Sequence, residues 1–213
     1  MQKKVVLALL IAVLLTGGVF AEGFSLSGGG GMLLDFSGNN GVEAGNYYVG
    51  ARNLSFGVYG FFDATYVEVD FSFAYGKITG VGEGNGASEV ASYINGNVMQ
   101  FGLSLLGKYP INLSSFTFFP LLGFNYNMVI SYSQEGYSYP KPGDMNQFGL
   151  LAGVGSDFGL TDSLYLRTEG MFQIRFACKY MQDLADLANA YGLNASTTLG
   201  MGPRIKVGIG YKF

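Results

Sequence analysis

The feature that most restricts this chain is a period of two, held over long stretches and repeated along most of the sequence. In TYVEVDFSFAYG (65–76), Val67, Val69, Phe71, Phe73 and Tyr75 share one parity, and Glu68, Asp70, Ser72 and Ala74 the other. Successive side chains of a strand point to opposite faces, so this pattern builds a sheet with one apolar and one polar face. It does not suit a helix, whose faces repeat every 3.6 residues.

The same reading yields eight candidate strands. They run from Phe24 to Phe36, Tyr48 to Phe62, Thr65 to Gly76, Asn97 to Tyr109, Phe116 to Ile130, Gln147 to Phe158, Leu164 to Phe176, and through the terminal RIKVGIGYKF, Arg204 to Phe213. Connections alternate in length. SGNNGVEAGN, the glycine-rich stretch Lys77 to Asn95, SYSQEGYSYPKPGDM and the segment before the last strand are long; the turns near Asp63, at PINLS and at GLTDS are short. Within the last connection Tyr180, Leu184, Leu187 and Tyr191 recur at helical spacing, which predicts a short helix over 178–191; a longer eighth strand is the alternative.

Composition decides which face meets what. Charged residues are 13% of the 213-residue chain and aromatics 15%, with 34 glycines; ordinary soluble domains carry about 25% charge. The polar faces hold mostly Gly, Ser and Asn rather than the Lys and Glu that solubilise an exposed sheet. Aromatics gather near strand ends (Phe36, Tyr47, Tyr48, Tyr75, Tyr109, Phe116, Phe118, Phe158, Phe176, Tyr211, Phe213), as interfacial girdles require. The strands are also longer than the five or six residues usual in globular proteins (about that number), and long enough for a tilted bilayer crossing. An inverted barrel follows, apolar outside and polar within. Unpaired backbone groups are prohibitive in hydrocarbon, so the sheet must close, the last strand pairing with the first. The expected fold is an all-β, eight-stranded, antiparallel up-and-down transmembrane barrel.

The start of the chain, MQKKVVLALLIAVLLTGGVFA, has Lys3 and Lys4 before an apolar run and small residues at Val19 and Ala21. This predicts a signal peptide over 1–21, cleaved to leave a barrel domain over 22–213; a membrane-anchoring helix is the alternative. Removing Lys3 and Lys4 leaves 12 − 2 = 10 basic against 15 acidic residues, a net charge of −5. Such a chain is poorly suited to nucleic acid. Cys178 is the single cysteine, which excludes an intramolecular disulfide.

With these elements in place, the chain resembles the small eight-stranded outer-membrane barrels of the OmpX, OmpW and OmpA-transmembrane type. The resemblance rests on the architecture and on the final strand, where Ile205, Val207, Ile209, Tyr211 and Phe213 match the family's alternating pattern ending in an aromatic. It implies residence in the bacterial outer membrane, contact with its lipids, and recognition of that ending by the barrel-assembly machinery. It also implies outer loops that contact a host or environmental ligand in adhesion, or a narrow porin-like, OmpW-like channel for small solutes. A soluble lipocalin-like periplasmic carrier is the reading from another class.

Polar-face parity selects the residues that carry chemistry. Glu68, Asp70, Lys108, Arg167, Glu169, Arg175, Arg204 and Lys206 all fall on lumen positions, where charges are desolvated unless paired. They predict an ion-pair network plugging the barrel, with a gated polar pore as the functional alternative. Tyr132, Tyr137 and Tyr139, in YSQEGYSYPKPG, are the candidate binding residues of an outer loop. No histidine occurs, which excludes Ser–His hydrolases and His-ligated metal centres. The glycine clusters lack the following helix and Lys-Ser/Thr pair of a phosphate site. The expectation is therefore no enzyme, no metal and no cofactor.

Overall fold

The computed structural model describes residues 25–84, 87, 91, 94–134 and 140–213; the expected signal peptide, 1–21, lies outside these residues. The long strands are β1 (Leu26–Ala44), β2 (Tyr47–Ala64), β3 (Val67–Glu83), β4 (Gly96–Lys108), β6 (Thr117–Ser133), β7 (Gln147–Gly159), β8 (Leu164–Arg175) and β10 (Gly200–Lys212). Two short pieces, β5 (Ile111–Asn112) and β9 (Ser196–Thr197), pair with β6 and β1. Each long strand lies antiparallel to the next, and β10 returns to β1 in a register from Ser27↔Lys212 to Gly38↔Met201. The sheet thereby closes on itself as an eight-stranded up-and-down barrel.

Parity divides inside from outside as the sequence pattern requires. Leu121 is 3% exposed and the adjacent Leu122 is 68% exposed. Outward positions form a continuous apolar surface that includes Met32, Leu34, Phe56, Val58, Phe71, Leu103, Phe124, Val154, Phe172, Val207 and Ile209. An exterior of this kind is a lipid-facing surface and is incompatible with a water-soluble carrier. Aromatic pairs mark its two margins. Tyr66 faces Tyr109 and Phe116 stacks on Phe158 at one end, while Phe148 stacks between Phe124 and Phe176 toward the other.

The ends of the barrel differ. The connections 65–66, 109–116 and 160–163 share one end with Ser25 and Phe213; the tip at 45–46, the connection 176–199 and the strand ends at Glu83, Gly96, Ser133 and Gln147 lie at the other. Here several boundaries depart from the expected ones. SGNNGVEAGN is a strand continuation, with Val42↔Val49 and Glu43↔Tyr48 paired and only Gly45 and Asn46 left to turn. Gly45 adopts φ 59°, a left-handed conformation that costs glycine little. A bulge between Ser37 and Asn40 absorbs the irregular Gly-Asn-Asn run. β3 likewise continues to Glu83, β6 to Ser133, and β10 starts at Gly200 rather than Arg204. These extensions carry more glycine and polar residues than the strand middles, and backbone pairing persists through them without strict apolar alternation.

The last connection forms a helix, α1 (Lys179–Ala190), rather than a longer strand. Its buried face is Tyr180, Met181 and Ala185 with Leu184 packed alongside, whereas Leu187 and Tyr191 are exposed. The predicted stripe thus holds over the first turns only. Together with Met145 of a 3-10 turn (Pro142–Met145) and Cys178, this face covers the inward side chains Val42, Ile78, Ile94 and Val98. An apolar cap therefore sits across the outer mouth of the barrel.

Candidate functional site

The candidate site is the lumen, into which all eight of the charged residues selected by parity project. It is occupied in tiers. Nearest the short-turn end, Arg167 donates from Nε and Nη2 to Asp157 (2.7 and 2.6 Å), from Nη2 to Asp63 (2.7 Å) and from Nη1 to Glu68 (2.5 Å). Its guanidinium carbon lies 4.4 Å from the ring centre of Phe61, 5.1 Å from that of Phe119 and 5.2 Å from that of Tyr165. Lys108 pairs with Asp63 beside Phe119. The planar fork of arginine suits this place, since it engages several carboxylates while presenting its faces to aromatic rings.

The middle tier is built around Lys206. Its Nζ lies 2.5 Å from Asp70 and 3.3 Å from Glu68, in contact with Glu169, and 4.9 Å from the centre of the Tyr59 ring. Glu68, Asp70 and Glu169 bring carboxylate oxygens within 4.8 Å of one another, the kind of cluster that could hold a metal. Here the lysine ammonium supplies the positive charge among them.

In the upper tier Arg175 donates to Asp35 (2.6 Å), Ser37 (3.2 Å) and Gln173 (3.1 Å), and Gln173 donates in turn to Asp35 (2.6 Å). Arg204 crosses the lumen to Ser72 on β3 (3.3 Å) and approaches Asp35 at 4.0 Å. All of these charged groups are nearly or fully buried. Removing one partner from such pairs strands a desolvated charge, at a cost of about 3–5 kcal/mol.

Space for the large inward rings comes from glycine. Gly210 faces Tyr165 across the β10–β8 pair and Gly208 lies against the Tyr59 hydroxyl; a Cβ at either position would overlap these side chains. Tyr165 then donates its hydroxyl to Ser27 Oγ at 2.8 Å. Two apolar clusters complete the filling: Leu33, Tyr59, Phe61, Ala74 and Tyr165 in one, and Leu106, Phe119, Leu121, Leu151 and Met171 in the other.

Two vestibules end on this filling. At the short-turn end an open space of about 140 Å³ is floored by Asp63, Lys108, Phe119, Asp157 and Tyr165. Beneath the outer cap a cavity of about 50 Å³ lies between Ser37, Gln100 and Gln147 below and Ile94, Cys178, Tyr180 and Met181 above. Burial within the cap pushes the Cys178 thiol pKa up.

Asp35, Asp63 and Asp157 join the network although the parity argument did not select them. Asp35 and Asp157 lie on lumen parity, and that signal was available in the alternation. Asp63 sits at the end of β2, where the sequence reads as a turn.

The other predicted positions divide. Tyr132 lies in the outer part of β6, donating its hydroxyl to the Ile94 carbonyl (2.9 Å) and packing under the cap. It is thus a support of the cap rather than part of a loop tip, because pairing of β6 continues past Ile130. Tyr137 and Tyr139 lie outside the described residues. Ile205, Val207, Ile209 and Tyr211 point outward from β10. The Phe213 amide still bonds the Leu26 carbonyl (3.0 Å), and its ring meets Tyr211 edge-on.

No protein-family model matches the chain, and no curated protein matches its sequence. Among solved structures it is similar to the outer membrane protein OprG from Pseudomonas aeruginosa, with a TM-score of 0.52 and 16% identity, covering 89% of this chain and 96% of that one. The N-terminal β-barrel domain of Pseudomonas aeruginosa OprF (TM-score 0.39, 10% identity, 89% and 97% covered) and the attachment invasion locus protein Ail of Yersinia pestis (0.40, 15%, 89% and 97%) are matched at lower scores. Closure of β10 on β1, the lipid-facing exterior and the OprG likeness agree: this chain has the fold of the small eight-stranded outer-membrane β-barrels.

Proposed function

We propose that the protein is a plugged outer-membrane barrel, structural in the membrane and active in surface interaction, rather than a conduit. The observation that carries this reading is the lumen itself. Arg167 and Lys206, with their carboxylates and the rings of Tyr59, Phe61, Phe119 and Tyr165, occupy the section between the two vestibules. A solute would have to part desolvated ion pairs to pass, which is costly in a low-dielectric interior.

Function then belongs to the outer end, where β1, β2 and β3 project beyond the lipid-facing band. An open cleft of about 390 Å³ on that rim is lined by Glu43, Tyr48, Glu83, Thr198, Leu199 and Met201. Rigid strands carrying polar and aromatic side chains are a natural platform for a host or environmental ligand. The exposed rings of Tyr211 and Phe213 at the short-turn end support recognition of this ending by the barrel-assembly machinery as part of the same reading. No catalytic role is proposed for any residue.

Single-channel recording on the purified protein in planar bilayers tests this function. A silent bilayer is expected. Stable unitary conductance from the unmodified chain would replace it with the narrow-channel reading.

A further inference from the structure

The barrel wall sorts the basic residues of this chain. Lys108, Arg167, Arg175, Arg204 and Lys206 turn inward and meet carboxylates. Lys179 pairs with Asp144 at the outer cap, and Lys212 lines the vestibule at the short-turn end. Two cations do the opposite. Arg52 on β2 and Lys77 on β3 are exposed, on the outward parity that also carries Leu54, Phe56 and Tyr75. Lys77 stands opposite Leu54 and Arg52 opposite Thr79, so the two cations are diagonal neighbours on one face. Side chains so placed start about 7–8 Å apart, within reach of each other's long stems. Neither is ion-paired among the described residues. Like charges held this close repel unless an anion lies between them.

Their depth on the barrel indicates which anion. Arg52 lies two residues outward of Leu54, and Lys77 two residues outward of Tyr75, side chains that are 54% and 56% exposed on the lipid-facing surface. Two residues of strand advance by about 7 Å, so both cations stand just beyond the apolar band, at the level of lipid headgroups. Their outward neighbours at that level are uncharged and can donate hydrogen bonds: Thr79 on β3 and Asn97, opposite Lys77 on β4. The carboxylates Glu43 and Glu83 sit further out, on the rim cleft. The other side of the ring presents Phe148, Phe176 and Met201 outward toward the same end, with no cation among them.

We propose that Arg52 and Lys77 form a binding site for the headgroup phosphate of an anionic membrane lipid in the outer leaflet, whose acyl chains lie along Leu54, Phe56 and Tyr75. The arginine meets phosphate oxygens through its planar fork, and the lysine as a point charge. A free phosphate would keep only exposed, salt-screened contacts. A lipid adds burial of the apolar wall directly below them. The site lies on the outside of the barrel and is independent of whether the lumen conducts.

The test uses the mature chain refolded in an uncharged alkyl-glycoside detergent. Native mass spectrometry follows its titration with phosphatidylglycerol, or with zwitterionic phosphatidylcholine of the same chains. One phosphatidylglycerol should be retained more tightly than phosphatidylcholine by roughly tenfold or more, the preference expected of two cations near the membrane surface. Arg52→Gln combined with Lys77→Gln should abolish that preference, and Lys77→Arg should keep it. Lys212→Gln, at the far end of the barrel, should leave it unchanged. Heat-modifiable gel mobility reports whether each variant is folded; should the double variant fail, either single glutamine variant should still lose part of the preference. Equal retention of the two lipids overturns the proposal. So does a preference that survives in the folded glutamine variants, or one that falls as far in Lys212→Gln. Retention of glycerol phosphate as tight as that of phosphatidylglycerol would assign the cations to a soluble phosphate and overturn the lipid.

Discussion

Arg167 Nη1 lies 2.5 Å from Glu68 Oε2, joining residues 99 positions apart in sequence across the lumen. The same guanidinium also holds Asp63 and Asp157, so three carboxylates from β2, β3 and β7 meet on one side chain from β8, with Lys108 and Lys206 as second partners of Asp63 and Glu68. Replacing it by methionine takes from Asp157 its ion-pair partner among the described residues and leaves Asp63 and Glu68 with one cation fewer. Arg167→Met should destabilise the barrel by about 3–5 kcal/mol, read as a lower urea midpoint, and should open intermittent conductance in planar bilayers. Arg167→Lys keeps the charge without the fork and should fall between the two. An Arg167→Met protein as stable and as silent as the parent would show that the plug does not rest on this tier.

The outer cap makes a separate prediction through its cysteine. Cys178 is buried with Tyr180 and Met181 over Val42, Ile78 and Val98, and burial raises its thiol pKa. The thiolate is the reactive form, so alkylation of the folded protein should be slow at pH 8. Tyr180→Ala removes a buried ring from the cap and should speed alkylation by roughly tenfold or more, equivalent to about 1.4 kcal/mol of easier local opening. The pH dependence has a definite sign. A thiol whose pKa is raised by folding contributes its stability fully below the ordinary thiol value. It loses that contribution as pH rises through the ordinary value toward the raised one. Alkylation in denaturant supplies the unprotected rate, and equal rates folded and unfolded would contradict the packed cap.

Between β10 and β8, Gly210 and Tyr165 form a fitted pair, since any Cβ at 210 overlaps the tyrosine ring. Gly210→Val should therefore reduce the folded yield and lower the unfolding midpoint, with Tyr165 displaced from Ser27 and from the face of Arg167. Trimming the ring should relieve the overlap. The double variant Gly210→Val with Tyr165→Ala is expected to be more stable than the sum of its parts, a coupling read from a double-mutant cycle. Simple additivity would place the valine elsewhere than against the ring.

How much of this was legible in the sequence varies with the physical cause. Alternation in VEVDFSFAYG and in RIKVGIGYKF fixed strand existence, facing and closure, because lipid outside and packed polar groups inside enforce parity at every residue. It therefore placed Glu68, Asp70, Arg167 and Lys206 in one lumen. Beyond the lipid that enforcement ends. Gly38 to Ala44 read as a turn-rich loop, yet β1 pairs on to Ala44, since backbone hydrogen bonds alone sustain the hairpin. Which acid meets which base was also beyond the pattern. Asp35 reaches Arg175 over 140 residues, a distance set by barrel closure and stagger rather than by any local spacing.

The chain's last residue carries the final prediction. Phe213 bonds Leu26 through its amide, lies against Tyr211 and would contact a Cβ on Gly28; its ring is otherwise exposed at the short-turn end. One terminal hydrogen bond contributes only about 1 kcal/mol, so deletion of Phe213 should barely change the urea midpoint of protein refolded in detergent. In cells the expected outcome is different. If the aromatic ending is read during assembly, the deletion should cut outer-membrane yield severalfold while export across the inner membrane continues, leaving unassembled chain in the periplasm. Heat-modifiable gel mobility of membrane fractions separates folded from unfolded chain for this measurement. Normal membrane yield of the deletion would assign Phe213 to interfacial packing alone, whereas a fall in refolded stability matching the loss in cells would make the defect one of folding and not of recognition.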